Sequence, residues 1–290
     1  MRRVVLGLTT MALAILLAGG VAQAIINGEP DRGPNAHPYV GALVSVPPSG
    51  EFKGQRIPIC SGTLISPRVF LTAGHCTDLL IKEDLPTYVS FDPTYKPGES
   101  KVIRASPYTH PGFCIPTPED KGKCRLPPER PEKVGTLPHD LRYDVGVAVL
   151  EEPVRMASYG ALPDAGLVDP LKEGQRFTVV GYGATGYEIH GGPPPQPQPV
   201  YPDDRYRATV RLLITTDPAI GEMFVKTTGV SLTAGKGEGT CKGDSGGPLF
   251  LPDQQTIVGV TTGGYYLCRG PAYYQRVDLP RVLKWVHSFP

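Results

Sequence analysis

Ser245 is the residue of this 290-residue chain best suited to act as a nucleophile. It lies in the segment TCKGDSGGPL, residues 240–249. The glycines on both sides of the serine let the backbone adopt unusual dihedral angles and approach a substrate closely. A serine hydroxyl is a weak nucleophile at neutral pH, so it needs a general base and a group that orients that base. A histidine and a carboxylate must therefore come from elsewhere in the chain.

Two other segments supply these groups. His75 lies in LTAGHC, residues 71–76, and Asp144 lies in the mostly apolar run YDVGVAVL, residues 143–150. A carboxylate on a buried strand must be hydrogen-bonded or paired, because its desolvation is otherwise costly. Ser245 could attack a carbonyl carbon while His75 accepts and returns the proton and Asp144 orients the imidazole. The three residues predict acyl transfer through a covalent intermediate.

These three segments resemble the active-serine, histidine and aspartate segments of the chymotrypsin/trypsin-like serine endopeptidases. The resemblance covers residues 25–290 and implies an all-β fold of two six-stranded antiparallel β-barrels with a C-terminal helix. The first barrel is expected at about residues 25–156 and the second at about residues 157–290, with the active-site cleft between them. By the same resemblance, the backbone N–H groups of Gly243 and Ser245 form the oxyanion hole. The expected reaction is hydrolysis of a peptide bond in a protein or peptide substrate.

Two alternatives differ in fold or in activity. The sequence GDSGG also fits the G-x-S-x-G elbow of α/β-hydrolases, but an elbow serine precedes its acid and its histidine. Here His75 and Asp144 come first, and His287 is the single histidine after Ser245. The second alternative is a catalytically silent binding module on the same fold, which the presence of all three residues disfavours. The remaining histidines lack a matching motif and are expected to be structural or exposed: His37, His110, His139, His190 and His287.

Residues 1–24 have the pattern of a signal peptide, with a basic start, an apolar run and the sequence Ala-Gln-Ala before residue 25. An uncleaved membrane anchor is the alternative, although the apolar run is short for a spanning helix. Cleavage after Ala24 would leave Ile25 at the N-terminus of the sequence IING, which resembles the activated N-terminus of the family. In that family the new ammonium pairs with the aspartate before the catalytic serine, here Asp244. We therefore expect a secreted, extracellular protein that signal cleavage itself activates.

The chain has six cysteines, and an even number in an exported protein indicates disulfides rather than metal or redox chemistry. Six cysteines allow 15 pairings. The resemblance implies the pairs Cys60–Cys76 and Cys241–Cys268. A third pair, Cys114–Cys124, would then close a loop inside an insertion at residues 92–139.

The resemblance also implies a substrate pocket, formed by Gly239, Thr240, Thr262, Gly263, Gly264 and Ala272. Gly239 stands at the base of the pocket, where trypsin-like relatives place an aspartate that pairs with Lys or Arg. An uncharged pocket that prefers apolar or medium-sized side chains is the prediction. A one-residue shift that brings Glu238 into the pocket is the alternative.

Composition argues against several other classes of function. Charged residues make up 20% of the chain and the net charge is +1, so no nucleic acid, acidic polymer or membrane surface is indicated as a partner. No Cys-x-x-Cys or His-rich spacing is present, and neither a cofactor nor a metal is expected; calcium stays open. The mature protein is expected to be monomeric.

The 35 glycines and 33 prolines are typical of turns between many short strands. Strand-like runs occur at residues 39–46, 60–72, 143–150, 176–182, 206–216, 256–262 and 272–277. Residues 191–202 are rich in proline and are predicted to form an extended loop without a strand interior. Apolar residues at helical spacing from Leu279 to Val286 predict the final helix, with Trp285 in the core.

Overall fold

The structure is a computed structural model that describes residues 25–33, 36–114, 142–190, 196–215, 221–231 and 233–290, with the backbone alone at residues 190, 196 and 266. The strands are β1 Glu29–Pro30, β2 Val40–Ser45, β3 Ile57–Leu64, β4 Val69–Thr72, β5 Thr87–Ser90, β6 Ile103–Thr109, β7 Gly146–Leu150, β8 Arg176–Gly181, β9 Gly186–His190, β10 Gln196–Val200, β11 Tyr206–Ile214, β12 Phe224–Thr227, β13 Pro248–Phe250, β14 Ile257–Gly264 and β15 Ala272–Arg276. The helices are α1 Gly74–Lys82 and α2 Pro280–Val286, and a short 3-10 turn covers Tyr266–Cys268.

The first barrel is closed by six antiparallel strands in the order β2-β3-β4-β7-β6-β5, with β5 returning to β2. β2 is buried along its whole length. Leu43, Leu64, Phe70 and Leu71 are fully buried in the same apolar core. Burial of these side chains is the main force that holds the barrel closed.

The second barrel has the order β11-β12-β15-β14-β13-β8, and the pairing of β8 with β11 closes it. The short strand β1 pairs with the first two residues of β11 in the antiparallel direction. Phe177, Val210, Leu249 and Tyr274 belong to its buried core. Two closed six-stranded antiparallel barrels are present, which confirms the predicted fold class.

The predicted strand at residues 60–72 is wrong as a single element, because the structure divides it into β3 and β4. Pro67 lies in the turn between them, and Ser66 Oγ accepts hydrogen bonds from the N–H groups of Arg68 and Val69. The hydroxyl thus stabilises the turn through a local bond to backbone, as serine often does. The sequence reading also missed helix α1, which begins directly after β4.

The prediction for residues 191–202 is also wrong over its second half, because Gln196–Val200 forms strand β10 against β9. The physical reason is the alternation of proline with other residues. Pro197 and Pro199 face Ile189 and Tyr187, while Gln198 and Val200 lie opposite Glu188 and Gly186. Both prolines of a two-stranded ribbon can therefore place their missing N–H on the outer edge, where no ladder bond is needed.

The final helix forms as predicted, with Val282, Leu283 and Val286 buried. Trp285 is partly buried, and its ring lies edge-on to the His110 ring at a centroid distance of 5.1 Å. Among the described residues, no helix is long and apolar enough to cross a membrane.

Candidate active site

Strand pairing brings His75 and Asp144 together. β4 and β7 are antiparallel neighbours in which Thr72 lies opposite Gly146. His75 follows β4 at the start of α1, and Asp144 precedes β7 by two residues, so both lie at the same end of the pair. His75 Nδ1 is 2.9 Å from Asp144 Oδ2, and the His75 backbone N–H donates to Asp144 Oδ1 at 2.7 Å. The carboxylate therefore fixes both the ring and the backbone of the histidine.

Asp144 is completely buried, whereas 26% of the His75 side chain is exposed. Burial acts to lower the pKa of His75, but the negative charge of Asp144 and its hydrogen bond outweigh this effect and raise that pKa above its usual value near 6.5. The pair thus favours the imidazolium form when a proton reaches Nε2. This is the property that a general base needs.

Gln275 supports the aspartate, although sequence reasoning missed it. Its Oε1 accepts from the Asp144 backbone N–H at 3.0 Å, and its backbone N–H donates to Thr262 Oγ1 at 3.2 Å. Its Nε2 donates to the carbonyl oxygen of Met223 at 3.0 Å. The Thr262 hydroxyl in turn donates to the carbonyl oxygen of Val260 at 3.4 Å. No local motif marks Gln275, because it is 131 positions away from Asp144.

Ser245 sits where the second barrel contacts the first. Its carbonyl oxygen accepts from the Ser61 backbone N–H on β3 at 2.8 Å. This hydrogen bond fixes the position of the turn that carries Ser245 relative to the first barrel. Gly246 has φ +79° and no room for a side chain, since a Cβ there would overlap Thr72 Oγ1. The contact between the barrels therefore requires glycine directly after the serine. No hydrogen bond joins His75 Nε2 to Ser245 Oγ among the described residues.

The N–H groups of Gly243 and Ser245 can serve as anion donors. Gly243 has φ +94°, and its carbonyl oxygen accepts from Ser61 Oγ at 2.9 Å, which fixes the peptide orientation. Neither N–H donates to a group in the described part of the chain. Both donors of the predicted oxyanion hole are therefore unengaged, on the turn that carries the serine.

Asp244 is completely buried and is held by backbone alone. Its two carboxylate oxygens accept from the N–H groups of Gly183 and Cys241, each at 2.8 Å. Burial raises the pKa of this carboxyl to about 7, and the two hydrogen bonds act in the opposite direction. Gly181 and Gly183 have no room for a Cβ, because the Asp244 carboxyl fills that space. Among the described residues, no basic side chain is bonded to the Asp244 carboxylate.

The predicted new N-terminus is docked into the second barrel. Ile25 is fully buried, and Ile26 exchanges backbone hydrogen bonds with Gly239 at 3.0 and 3.3 Å. The side chain of Asn27 donates to the carbonyl oxygens of Gly235 and Gly237. The segment after residue 24 thus braces the loop that leads to the predicted pocket.

A cavity of about 340 Å³ adjoins Ser245. Five of the six predicted pocket residues line it: Gly239, Thr240, Gly263, Gly264 and Ala272. Thr262 is buried behind the wall, and Thr261 lines the cavity instead. Glu238 does not turn inward, because its Oε2 accepts from the Thr209 backbone N–H at 2.6 Å, so that alternative is wrong. Lys242 is the single charged residue among the described residues of the lining.

The structure contains two of the disulfides that the resemblance implies, Cys60–Cys76 and Cys241–Cys268. Cys114 is also disulfide-bonded, and its predicted partner Cys124 lies outside the described residues, as do His139 and the rest of the insertion after residue 114. Cys60, His75 and Cys76 are the one metal-ligand-like group in the described ranges. Because both sulfurs are joined to each other, they do not form a thiolate metal site.

Comparison with known proteins identifies relatives over most of the chain. The trypsin family model matches residues 25–286. The sequence is 29% identical over 268 residues to trypsin from Saccharopolyspora erythraea, with 87% of this chain and 93% of that protein covered. It is 26% identical over 287 residues to snake venom serine protease KN14 from Trimeresurus stejnegeri, with 96% of this chain and 92% of that protein covered. Neuropsin, a serine protease expressed in the limbic system of mouse brain, has a similar fold, with TM-score 0.59, 21% identity, and coverage of 91% of this chain and 99% of that chain.

Proposed function

The chain belongs to the trypsin family of serine proteases, and we propose that it is a secreted endopeptidase in which Ser245, His75 and Asp144 hydrolyse peptide bonds. The family implies protein or peptide substrates. The observation that carries the proposal is the double contact of a fully buried Asp144 with the ring and the backbone of His75. Secretion is supported by the signal-like pattern of residues 1–24 and by the venom origin of one relative.

The proposed reaction proceeds in two halves. His75 takes the proton from Ser245 as its oxygen attacks the scissile carbonyl carbon, and Asp144 stabilises the resulting imidazolium. The carbonyl oxygen becomes an oxyanion that accepts from the N–H groups of Gly243 and Ser245. His75 then returns the proton to the leaving amine, and water repeats the sequence to release the acyl group. Each oxyanion donor contributes about 3 kcal/mol of transition-state stabilisation in comparable sites.

The proposed activation step is cleavage after Ala24. The new ammonium would belong to the buried residue Ile25, and the next residue, Ile26, already pairs with Gly239. Asp244 is the carboxylate enclosed in the same region, and a cation beside it would lower the pKa that burial raises. The pair would stabilise the turn that carries Gly243 and Ser245. Support for this step comes from the burial of Ile25 and the enclosure of Asp244.

The substrate panel that tests this function uses peptides differing only in the residue before the scissile bond. We expect kcat/KM for Leu to exceed that for Arg by about a hundredfold, because the cavity offers no carboxylate to a buried guanidinium and Lys242 repels it. The measurement is the initial rate of cleavage with mass identification of the cut site. A panel in which Arg or Lys is preferred would contradict the proposed specificity, and no cleavage of any peptide by the processed protein would contradict the activity.

The acid limb of the pH profile follows from the raised pKa of His75. His75 must be neutral to accept a proton, so kcat/KM should rise with pH through a midpoint above 6.5. In Asp144→Asn the stabilising charge is lost, and kcat should fall by about 10⁴-fold. The residual activity of Asp144→Asn should have its midpoint at lower pH than the parent. A parent midpoint below 6 would contradict the assignment of His75 as the base.

A further inference from the structure

The β9–β10 hairpin is anchored to the active-serine turn at its base. The Ala184 backbone N–H donates to the carbonyl oxygen of Lys242 at 2.7 Å, directly before Gly243. Thr185 closes the hairpin, since its N–H and its hydroxyl both donate to the carbonyl oxygen of Val200 at 2.8 and 3.0 Å. The hairpin therefore has a fixed position relative to Ser245.

Tyr187 projects from β9 onto the cavity beside Ser245. Its ring lines the cavity together with both cysteines of the Cys241–Cys268 disulfide. Its hydroxyl lies 3.7 Å from Cys268 Sγ, and Lys242 Nζ lies 5.9 Å from the ring centroid. A cation at this distance from an aromatic ring is attracted to its face. The Tyr187 ring thus lies beside the Cys241–Cys268 disulfide, and Cys268 and Lys242 both contact it.

Another part of the cavity lining, at the end of β14, contributes no side chain. Gly263 and Gly264 form the end of β14 there, and both are exposed. A Cβ at Gly263 would meet nothing within 4 Å. Tyr187 and Tyr265 are the two aromatic residues of the described lining, and Tyr187 is the one that the hairpin contributes.

We propose that Tyr187 is a specificity-determining residue that selects large apolar side chains next to the scissile bond. The proposal rests on the proposed peptidase function and names the part of the chain that sets its preference. Contact with a flat aromatic face favours Leu and Phe over Ala, because burial of additional apolar surface against the ring scales with the size of the substrate side chain. Lys242 holds the ring by its charge and is not itself required for the selectivity.

The test compares kcat/KM for three peptides that carry Ala, Leu or Phe before the scissile bond. In Tyr187→Ala, we expect the Phe-to-Ala and Leu-to-Ala ratios to fall by about tenfold, mainly through higher KM. Tyr187→Phe keeps the ring and should retain the parent ratios. Ile189→Ala is the matched control, because Ile189 is two positions along β9 and is 74% exposed. It should leave all three rates unchanged.

Labelling of Ser245 by an organophosphorus reagent separates the two levels of the proposal. If the processed parent forms no adduct, the peptidase function is refuted and this inference falls with it. If the parent and Tyr187→Ala both form the adduct, an equal decrease for all three peptides would overturn the role in specificity and leave the peptidase function intact. Lost ratios in Tyr187→Phe as well as in Tyr187→Ala would also overturn it, because the hydroxyl rather than the ring would then be responsible.

Discussion

Replacement of Ser245 by alanine is expected to abolish both covalent labelling and peptide hydrolysis. An organophosphorus reagent modifies an activated serine hydroxyl, so the processed parent should gain one adduct and Ser245→Ala none. kcat should fall by about 10⁶-fold, because the nucleophile and its base act as one unit and loss of either removes the whole covalent pathway. Intact-mass spectrometry and cleavage of an apolar peptide measure the two effects.

Two variants make this result specific. Ser288→Ala removes an exposed serine after α2 and should leave the adduct and the rate unchanged. His75→Ala keeps the hydroxyl but removes the base, so its adduct should form far more slowly than in the parent. An adduct that persists in Ser245→Ala would mean that another residue is modified, and the assignment of the nucleophile would be wrong.

The sequence predicted the fold and marked the three residues of the proposed triad because their signals are local. Ser245 and His75 each lie in a short segment whose glycine and cysteine spacing is characteristic, and Asp144 is the one acid in the apolar run of residues 143–150. The disulfides Cys60–Cys76 and Cys241–Cys268 have the implied pairing for the same reason, since each cysteine flanks such a segment.

The residues that were missed act through long-range contacts. Gln275 lies on β15 and Asp144 lies just before β7, and the two contact each other only because these parts of the two barrels meet. Tyr187 lines the cavity only because the β9–β10 hairpin places it there, and the prolines of β10 argued against a strand at all. Proline is excluded from a ladder only where its N–H is needed. From the sequence of β10 alone, it could not be known which of its residues direct their N–H toward β9 and which direct it away.

A chain that retains Ala24 before Ile25 should lose stability relative to the processed protein as pH rises. In the blocked chain, burial raises the pKa of Asp244 to about 7 from the model-peptide value of 3.8. The folded state therefore favours the neutral acid, and that stability is fully present below pH 3.8 and is lost as pH rises through the folded pKa. The difference between the two pKa values corresponds to about 4 kcal/mol of unfolding free energy. In the processed protein, the Ile25 ammonium would instead stabilise the ionised carboxylate.

Denaturant unfolding of the two proteins from pH 4 to pH 10, with the disulfides intact, measures this difference. The gap in unfolding free energy should be small at pH 4, grow to about 4 kcal/mol near pH 7 to 8, and shrink at alkaline pH as the ammonium loses its proton. An ammonium paired with a carboxylate has a folded pKa above the unfolded value near 8, so the contribution of the proposed pair would fade only above that value. Peptidase activity of the processed protein should decline reversibly over the same alkaline range. A constant gap across pH would mean that Asp244 has no ionic partner, and its carboxylate would then be held by the N–H groups of Gly183 and Cys241 alone.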